Sequence, residues 1–190
     1  MDFISAGDLN ERVQARDLTH DAAGNAWSWT TAWGAWAKAE QSDRASYFSS
    51  VGIGARSVTF IMRKASRITL GLSFLWRGQF CFLTSIADTE QPGMVAVKAA
   101  LCELVACQKD VDLDSAGCKF PGALTEKYLG HEQGRLQATT TVTYVLVTPK
   151  AIELAPNSLV EAGGKVYAVQ VCHTLDPWKN EYEITRKEDC

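Results

Sequence analysis

The chain has 190 residues, of which 46% are hydrophobic and 22% charged, and its formal net charge is −3. This balance excludes a globally disordered chain and supplies enough apolar side chains for one large core or two small ones. No apolar run approaches the ~20 residues of a membrane helix, and Met1-Asp2-Phe3 lacks the basic end and apolar stretch of a signal peptide. A soluble protein that stays where it is made is expected.

Along residues 9–16 apolar and polar side chains roughly alternate, with Val13 and Ala15 on one face, which predicts a first strand. "THDAAGN" at 19–25 is turn chemistry, because Gly and Asn tolerate positive φ. Four of the six tryptophans follow at once: Trp27, Trp29, Trp33 and Trp36. Trp27 and Trp29 lie two apart, as on one face of a strand, and the spacing then slips, which predicts a bulge or irregular piece before Trp36. "AKAEQSDRASYFSS" at 37–50 has helix-forming composition and predicts a short helix carrying Ala45, Tyr47 and Phe48 on one side.

The β pattern is stronger downstream. "RSVTFIMR" at 56–63 is β-branched and apolar, and "RITLGLSFLW" leads into an Arg77-Gly78 turn. Phe80, Phe82, Thr84 and Ile86 then recur at period two, "DTEQPG" turns at 88–93, and "MVAVKAALCEL" returns. Such spacing predicts an antiparallel meander closing into a small barrel or sandwich. Residues 111–140 are polar and turn-rich and read as a linker, with one helical turn at 123–128, and "TTTVTYVLV" then begins a second meander at 141–190.

The two meanders align with each other. Val58 faces Val142, Phe60 faces Tyr144, Ile68 faces Ile152 and Leu70 faces Leu154. After a second hairpin tip that reads as longer, Phe80 faces Tyr167, Val95 faces Tyr182 and Val97 faces Ile184. The order of strands and turns agrees as well, so residues 141–190 read as a partial duplicate of 57–103.

Charge is unevenly placed. Residues 1–110 carry eleven Lys/Arg and eleven Asp/Glu, while residues 111–190 carry eight and eleven. Nothing acidic lies between Arg44 and Ala87, where Arg56, Arg63, Lys64, Arg67 and Arg77 are basic, so this stretch suits phosphate or an acidic partner. Six scattered cysteines without a CxxC pair read as buried thiols rather than staples or a zinc site. Asp110, Asp112 and Asp114 alternate, but Ser115 and Pro121 stand where a calcium loop needs Gly and Glu. His20, His131 and His173 are unpaired in the sequence, and no nucleophile elbow, P-loop or dinucleotide fingerprint is present. The sequence therefore points to no enzyme activity, no cofactor and no metal.

"AGDLNERVQAR", the Gly24-Asn25 turn, "WAKAE" at 36–40, "VTFIMR" and the "RITLGLSFLWRGQFCFLTSI" hairpin, in that order, resemble the phage head–tail joining family, also called head-closure, connector, stopper or adaptor proteins. The shared elements are Gly7-Asp8-Leu9 with Arg12-Val13, Gly24-Asn25, Trp36-Ala37 and Gly78, over about residues 3–107. The resemblance implies a mainly β fold, with a small antiparallel barrel and an inserted short helix at 1–110, followed here by a second, partly similar β-rich unit. It implies a structural virion protein of the neck, assembled in the host cytoplasm into a sixfold or twelvefold ring of identical copies. Its neighbours would be the portal protein or a portal-bound adaptor on one side, and a tail terminator or tail tube protein on the other. Double-stranded DNA would pass through, and no membrane is involved. Two departures stand out: family members end soon after the barrel, and Gly71-Leu72-Ser73 replaces an expected Asp or Asn turn.

Large aromatics and loop tips dominate subunit interfaces. The expected contact residues are Trp27 and Trp33, Arg44, Tyr47 and Phe48 of the helix, Glu90 and Gln91 of one turn, and Trp178 and Lys179 of the matching turn. The alternative from residues alone is a nucleic-acid-binding barrel, motivated by the acid-free stretch. Against it, Phe60, Phe74, Phe80 and Phe82 sit in strongly apolar strands instead of an exposed stacking platform.

Overall fold

The computed structural model describes residues 3–46, 55–109, 117–127 and 143–187. They are mainly β. A single 3-10 turn, η1 (Ala6–Asp8), precedes β1 (Glu11–Asp21), β2 (Ala26–Ser46), β3 (Ala55–Arg63), β4 (Ser73–Trp76), β5 (Gln79–Asp88) and β6 (Met94–Cys102). Then follow β7 (Leu104–Lys109), β8 (Lys119–Lys127), β9 (Thr143–Pro149), β10 (Leu159–Ala162), β11 (Lys165–His173) and β12 (Lys179–Arg186). The described residues form two compact units, one of 3–19, 28–46 and 55–103, the other of 20–27, 104–109, 117–127 and 143–187.

In the first unit the hydrogen-bonded order is β1-β4-β5-β6-β3-β2, and β1 also pairs with β2. Alternation fills one side: Val13 and Ala15 of β1, Val58, Phe60 and Met62 of β3, Phe74 and Trp76 of β4, and Val95, Val97 and Ala99 of β6 share one core. Phe60 meets Phe74 and Trp76 edge-on at 5.7 and 5.6 Å, a geometry the ring quadrupoles favour. β4 and β5 turn through Arg77 and Gly78, at φ 49° and 78°. Two successive positive φ values are what a two-residue type I′ hairpin turn requires.

The second unit repeats this plan strand for strand. Its order is β7-β10-β11-β12-β9-β8, and β7 also pairs with β8. β7 to β12 thus take the places of β1 to β6. Register is kept too. Phe60 pairs with Val97, and Leu146, 86 places on, pairs with Tyr182, 85 places on. Trp76 pairs with Gln79, and Ala162 pairs with Lys165. The register of β5 on β6 shifts between Leu83 and Ser85, and that of β11 on β12 shifts between Val169 and Val171. A bulge inherited at the same place is a stronger mark of duplication than matching apolar positions, because alternation alone does not demand it. The second core gathers Cys107, Phe120, Leu146, Ile152, Leu154, Val160, Tyr167, Val169, Tyr182 and Ile184. Within it the Tyr182 hydroxyl donates to the Ile152 carbonyl at 2.9 Å and accepts from the Leu154 N–H at 3.1 Å. The tip of the β1–β2 hairpin belongs to this unit, where Ala26 pairs in parallel with Lys119.

Several expectations change. No inserted helix is found among the described residues: β2 runs through Ser46, pairing Ala37–Ser42 with β3 and shifting register between Ser42 and Ala45. Ala, Lys, Glu and Gln favour helix locally, but the ladder to β3 and the burial of Ala37 override that preference. The remainder of the helix, including Tyr47 and Phe48, lies outside the described residues. The 111–140 linker contains β8, a strand paired on both edges, and its helical turn at 123–128 is strand as far as Lys127. The first unit ends at Glu103 instead of residue 110, and the duplicate begins at β7 instead of residue 141. The second hairpin tip is no longer than the first, since Gly163 and Gly164 form an equivalent two-residue turn at φ 58° and 76°. With the turns and bulges taken as equivalent, the residue-by-residue alignment above is displaced by two in β9 and β12 and by one in β11: Tyr144 occupies the place of Val58, not of Phe60, and Tyr167 that of Cys81, not of Phe80.

Candidate interaction surfaces

The tryptophans of β2 do different things. Trp27 is half-buried against the second core and stacks on His20 at 4.6 Å. Trp29 packs on Phe80 and Phe82 at 5.5 and 6.1 Å. Trp33 is half-buried against the first core, edge-on to Phe74 at 6.3 Å. Trp36 is 55% exposed. The crowding noted in the sequence thus resolves into three packing residues and one surface residue.

Trp33 and Trp36 border a cleft of about 620 Å³ in the first unit. Its walls are Ala6, Gly7 and Leu9 around η1, residues 33–36 of β2, and residues 62–68 at the end of β3 and beyond. Arg63, Lys64 and Arg67 line it, and no acidic residue does. The Arg67 guanidinium lies over the Trp33 ring at 4.3 Å, and that of Arg12 lies 5.9 Å from the Trp36 ring centre. At exposed sites such contacts contribute about 0.5–1 kcal/mol, and here they hold the guanidinium groups in place. Lys64 pairs with Asp88 at 2.7 Å. Among the described residues no carboxylate ion-pairs with Arg12, Arg63 or Arg67. Sequence reading singled out Trp33 and the basic stretch. Trp36, Arg12 and Leu9 entered it only as elements of the resemblance and not as contacts, because three separate segments build the cleft and no local spacing signals it.

The two turns differ. Gln91 faces its own chain: its side-chain N–H₂ donates to the Ile4 carbonyl at 3.0 Å and its oxygen accepts from the Ile4 N–H at 2.9 Å. Glu90 beside it is exposed. In the second unit the Asp176 carboxylate accepts from the backbone N–H of Trp178 at 2.7 Å and of Lys179 at 3.2 Å, fixing the turn. That turn presents Leu175, fully exposed, and Trp178, 45% exposed. Lys179 is mostly buried and pairs with Glu181 at 2.9 Å. Arg44 lies in β2, while Tyr47 and Phe48 lie outside the described residues.

Ionisation marks structural positions. Burial pushes the Cys81, Cys102 and Cys107 thiols up to about 12, which makes them inert near neutral pH. Glu11 accepts from Arg77, the main cause of its lowered carboxyl pKa, and from the Trp76 indole N–H at 3.0 Å. Among the described residues no three His, Cys, Asp or Glu side chains gather as a metal site, and no helix is long and apolar enough to cross a membrane. No protein-family model, no curated protein and no solved structure matches the chain.

Proposed function

We propose that the chain is a structural protein of the phage neck, each copy contributing two small barrels to a sixfold or twelvefold ring between portal and tail. In this reading each six-strand unit is a closed barrel, as expected where the hydrogen-bonded order returns to its first strand. The portal protein or its adaptor lies on one side of the ring and a tail terminator or tail tube protein on the other, with double-stranded DNA in the channel.

One observation carries the proposal. Each unit has its own exposed apolar surface, Trp36 by the cleft in the first and Leu175 with Trp178 in the second. A copy with two unlike adhesive surfaces makes heterologous contacts, and these close into a ring when the rotation between copies permits. The resemblance of residues 3–107 to head–tail joining proteins agrees with this. The experiment is to purify the phage particles that encode the chain, identify their proteins by mass spectrometry and locate this one by imaging. Its presence in the neck supports the reading, and its absence from mature particles overturns it.

A second reading, nucleic-acid binding, has the Arg12, Arg63 and Arg67 cluster in its favour. Phe60, Phe74, Phe80 and Phe82, at 0–7% exposure, offer no base-stacking platform. Affinity of the isolated chain for DNA that falls steeply with salt would favour this alternative.

A further inference from the structure

We infer that the Arg–Trp cleft of the first unit binds the Asp110-Val111-Asp112-Leu113-Asp114 segment of a second copy, joining copies head to tail. The inference rests on the ring reading and names its contact.

The cleft has two chemistries side by side. Arg63 and Arg67 line it and Arg12 lies beside it, none of them ion-paired with a carboxylate among the described residues, while Leu9, Ile68 and the exposed Trp36 supply apolar surface. Its volume of about 620 Å³ suits a few residues of peptide. A fitting ligand alternates carboxylates with apolar side chains. The sequence at 110–114 has that composition: Asp110, Asp112 and Asp114 supply carboxylates for the guanidinium groups, and Val111 and Leu113 between them are apolar. Charge complementarity supports a second copy as the source. Residues 110–114 carry three carboxylates and no basic side chain, while the cleft walls carry Arg63, Lys64 and Arg67 and no acidic residue. A DNA duplex fits less well, since its phosphates would leave Leu9 and Ile68 facing polar backbone.

The test uses the full chain and two charge-reversed variants. One carries Arg63→Asp with Arg67→Asp, the other Asp110→Lys, Asp112→Lys and Asp114→Lys. Sedimentation velocity reads association, and circular dichroism with a urea titration checks that both variants fold. Each variant alone is expected to associate about tenfold more weakly than wild type, or less still. An equal mixture should regain association, because each variant's cleft then meets a segment of opposite charge. A synthetic peptide spanning residues 109–115 should inhibit wild-type association, and its Asp→Asn form should not. If both folded variants associate like wild type, the docking is wrong and the ring reading stands. If both fail and mixing restores nothing, the cleft and the segment are not partners. A wild-type chain that stays monomeric overturns docking and ring together. Binding of duplex DNA that the peptide cannot displace overturns the docking in favour of a polyanion site.

Discussion

Gln91 closes a two-way hydrogen-bonded clamp on the backbone of Ile4, donating at 3.0 Å and accepting at 2.9 Å. The residues are 87 apart in sequence, so this pair ties the N-terminal segment to the β5–β6 turn. The same segment supplies Ala6, Gly7 and Leu9 to the cleft. Gln91→Ala should lower stability by about 1–2 kcal/mol, since two backbone groups lose their partner. Gln91→Glu keeps the acceptor and loses the donor, and should cost less. Urea denaturation of the three proteins checks the order. Equal stability of all three would mean that the segment is held by other contacts.

Tyr182 plays a comparable part in the second unit, bridging Ile152 and Leu154 from a fully buried position. Tyr182→Phe retains the ring and strands the buried Leu154 N–H. Asn180 still donates to the Ile152 carbonyl at 2.8 Å, so the Leu154 N–H bears most of the loss. The expected cost is about 1–3 kcal/mol, read as a shift in the urea midpoint. The β6 residue at the equivalent place is Val97, which has no hydroxyl to offer, so Val97→Ala should act through lost packing alone.

Glu11 provides a pH-dependent test. Its carboxyl pKa is lowered in the folded chain, first by Arg77 and then by Trp76. A group with a depressed folded pKa contributes stability above its unfolded pKa and loses that contribution as pH falls through the folded value. Glu11→Gln should therefore flatten part of the fall in stability between about pH 5 and pH 3, where an ordinary glutamate begins to protonate. Parallel curves for wild type and variant would show that the contact carries no linkage.

The thiols behave in the opposite sense. Cys81 and Cys107 are buried, with pKa values raised to about 12 by that burial. Folding favours their neutral form, a contribution present below the unfolded thiol pKa and lost as pH rises toward the folded value. At about pH 8, with Cys190→Ser as background, a thiol reagent should modify half-buried Cys172 well before Cys81 or Cys107. Mass spectrometry of labelled peptides gives the order. Early labelling of Cys81 would contradict the burial described.

Much of the strand content was legible because β3, β5, β9 and β11 are rich in β-branched and aromatic residues, with Phe80, Phe82, Thr84 and Ile86 of β5 recurring at period two. The Arg77-Gly78 turn was legible from its glycine. β8 was not, because Pro121 and Gly122 side by side resemble a turn. Gly122 serves a different purpose there: a Cβ would stand 2.8 Å from Leu146 Cδ1 and 3.2 Å from Cys107 Sγ, so a side chain at this place would force the buried Leu146 to shift. The end of β2 was misread for a related reason. Its alanines suit a helix until partner strands are considered, and a single sequence does not show partners. The repeat was visible as matching apolar positions, yet runs of apolar residues leave the offset loose by one or two places, and the equivalent turns and bulges fix it. Of the contact residues, Trp33 and Trp178 fall on surfaces that look outward in part, while Gln91 and Lys179 are engaged within their own chain. The cleft escaped sequence reading because its walls come from residues 6–9, 33–36 and 62–68.

The central claim is that unlike surfaces on identical copies close into one ring. Native mass spectrometry of the purified 20.8 kDa chain across a range of concentrations tests it most directly. The account predicts one discrete assembly at six or twelve times the chain mass, lost on charge reversal at Arg63 and Arg67. A chain that remains a monomer at every concentration, in the presence or absence of salt, would contradict it.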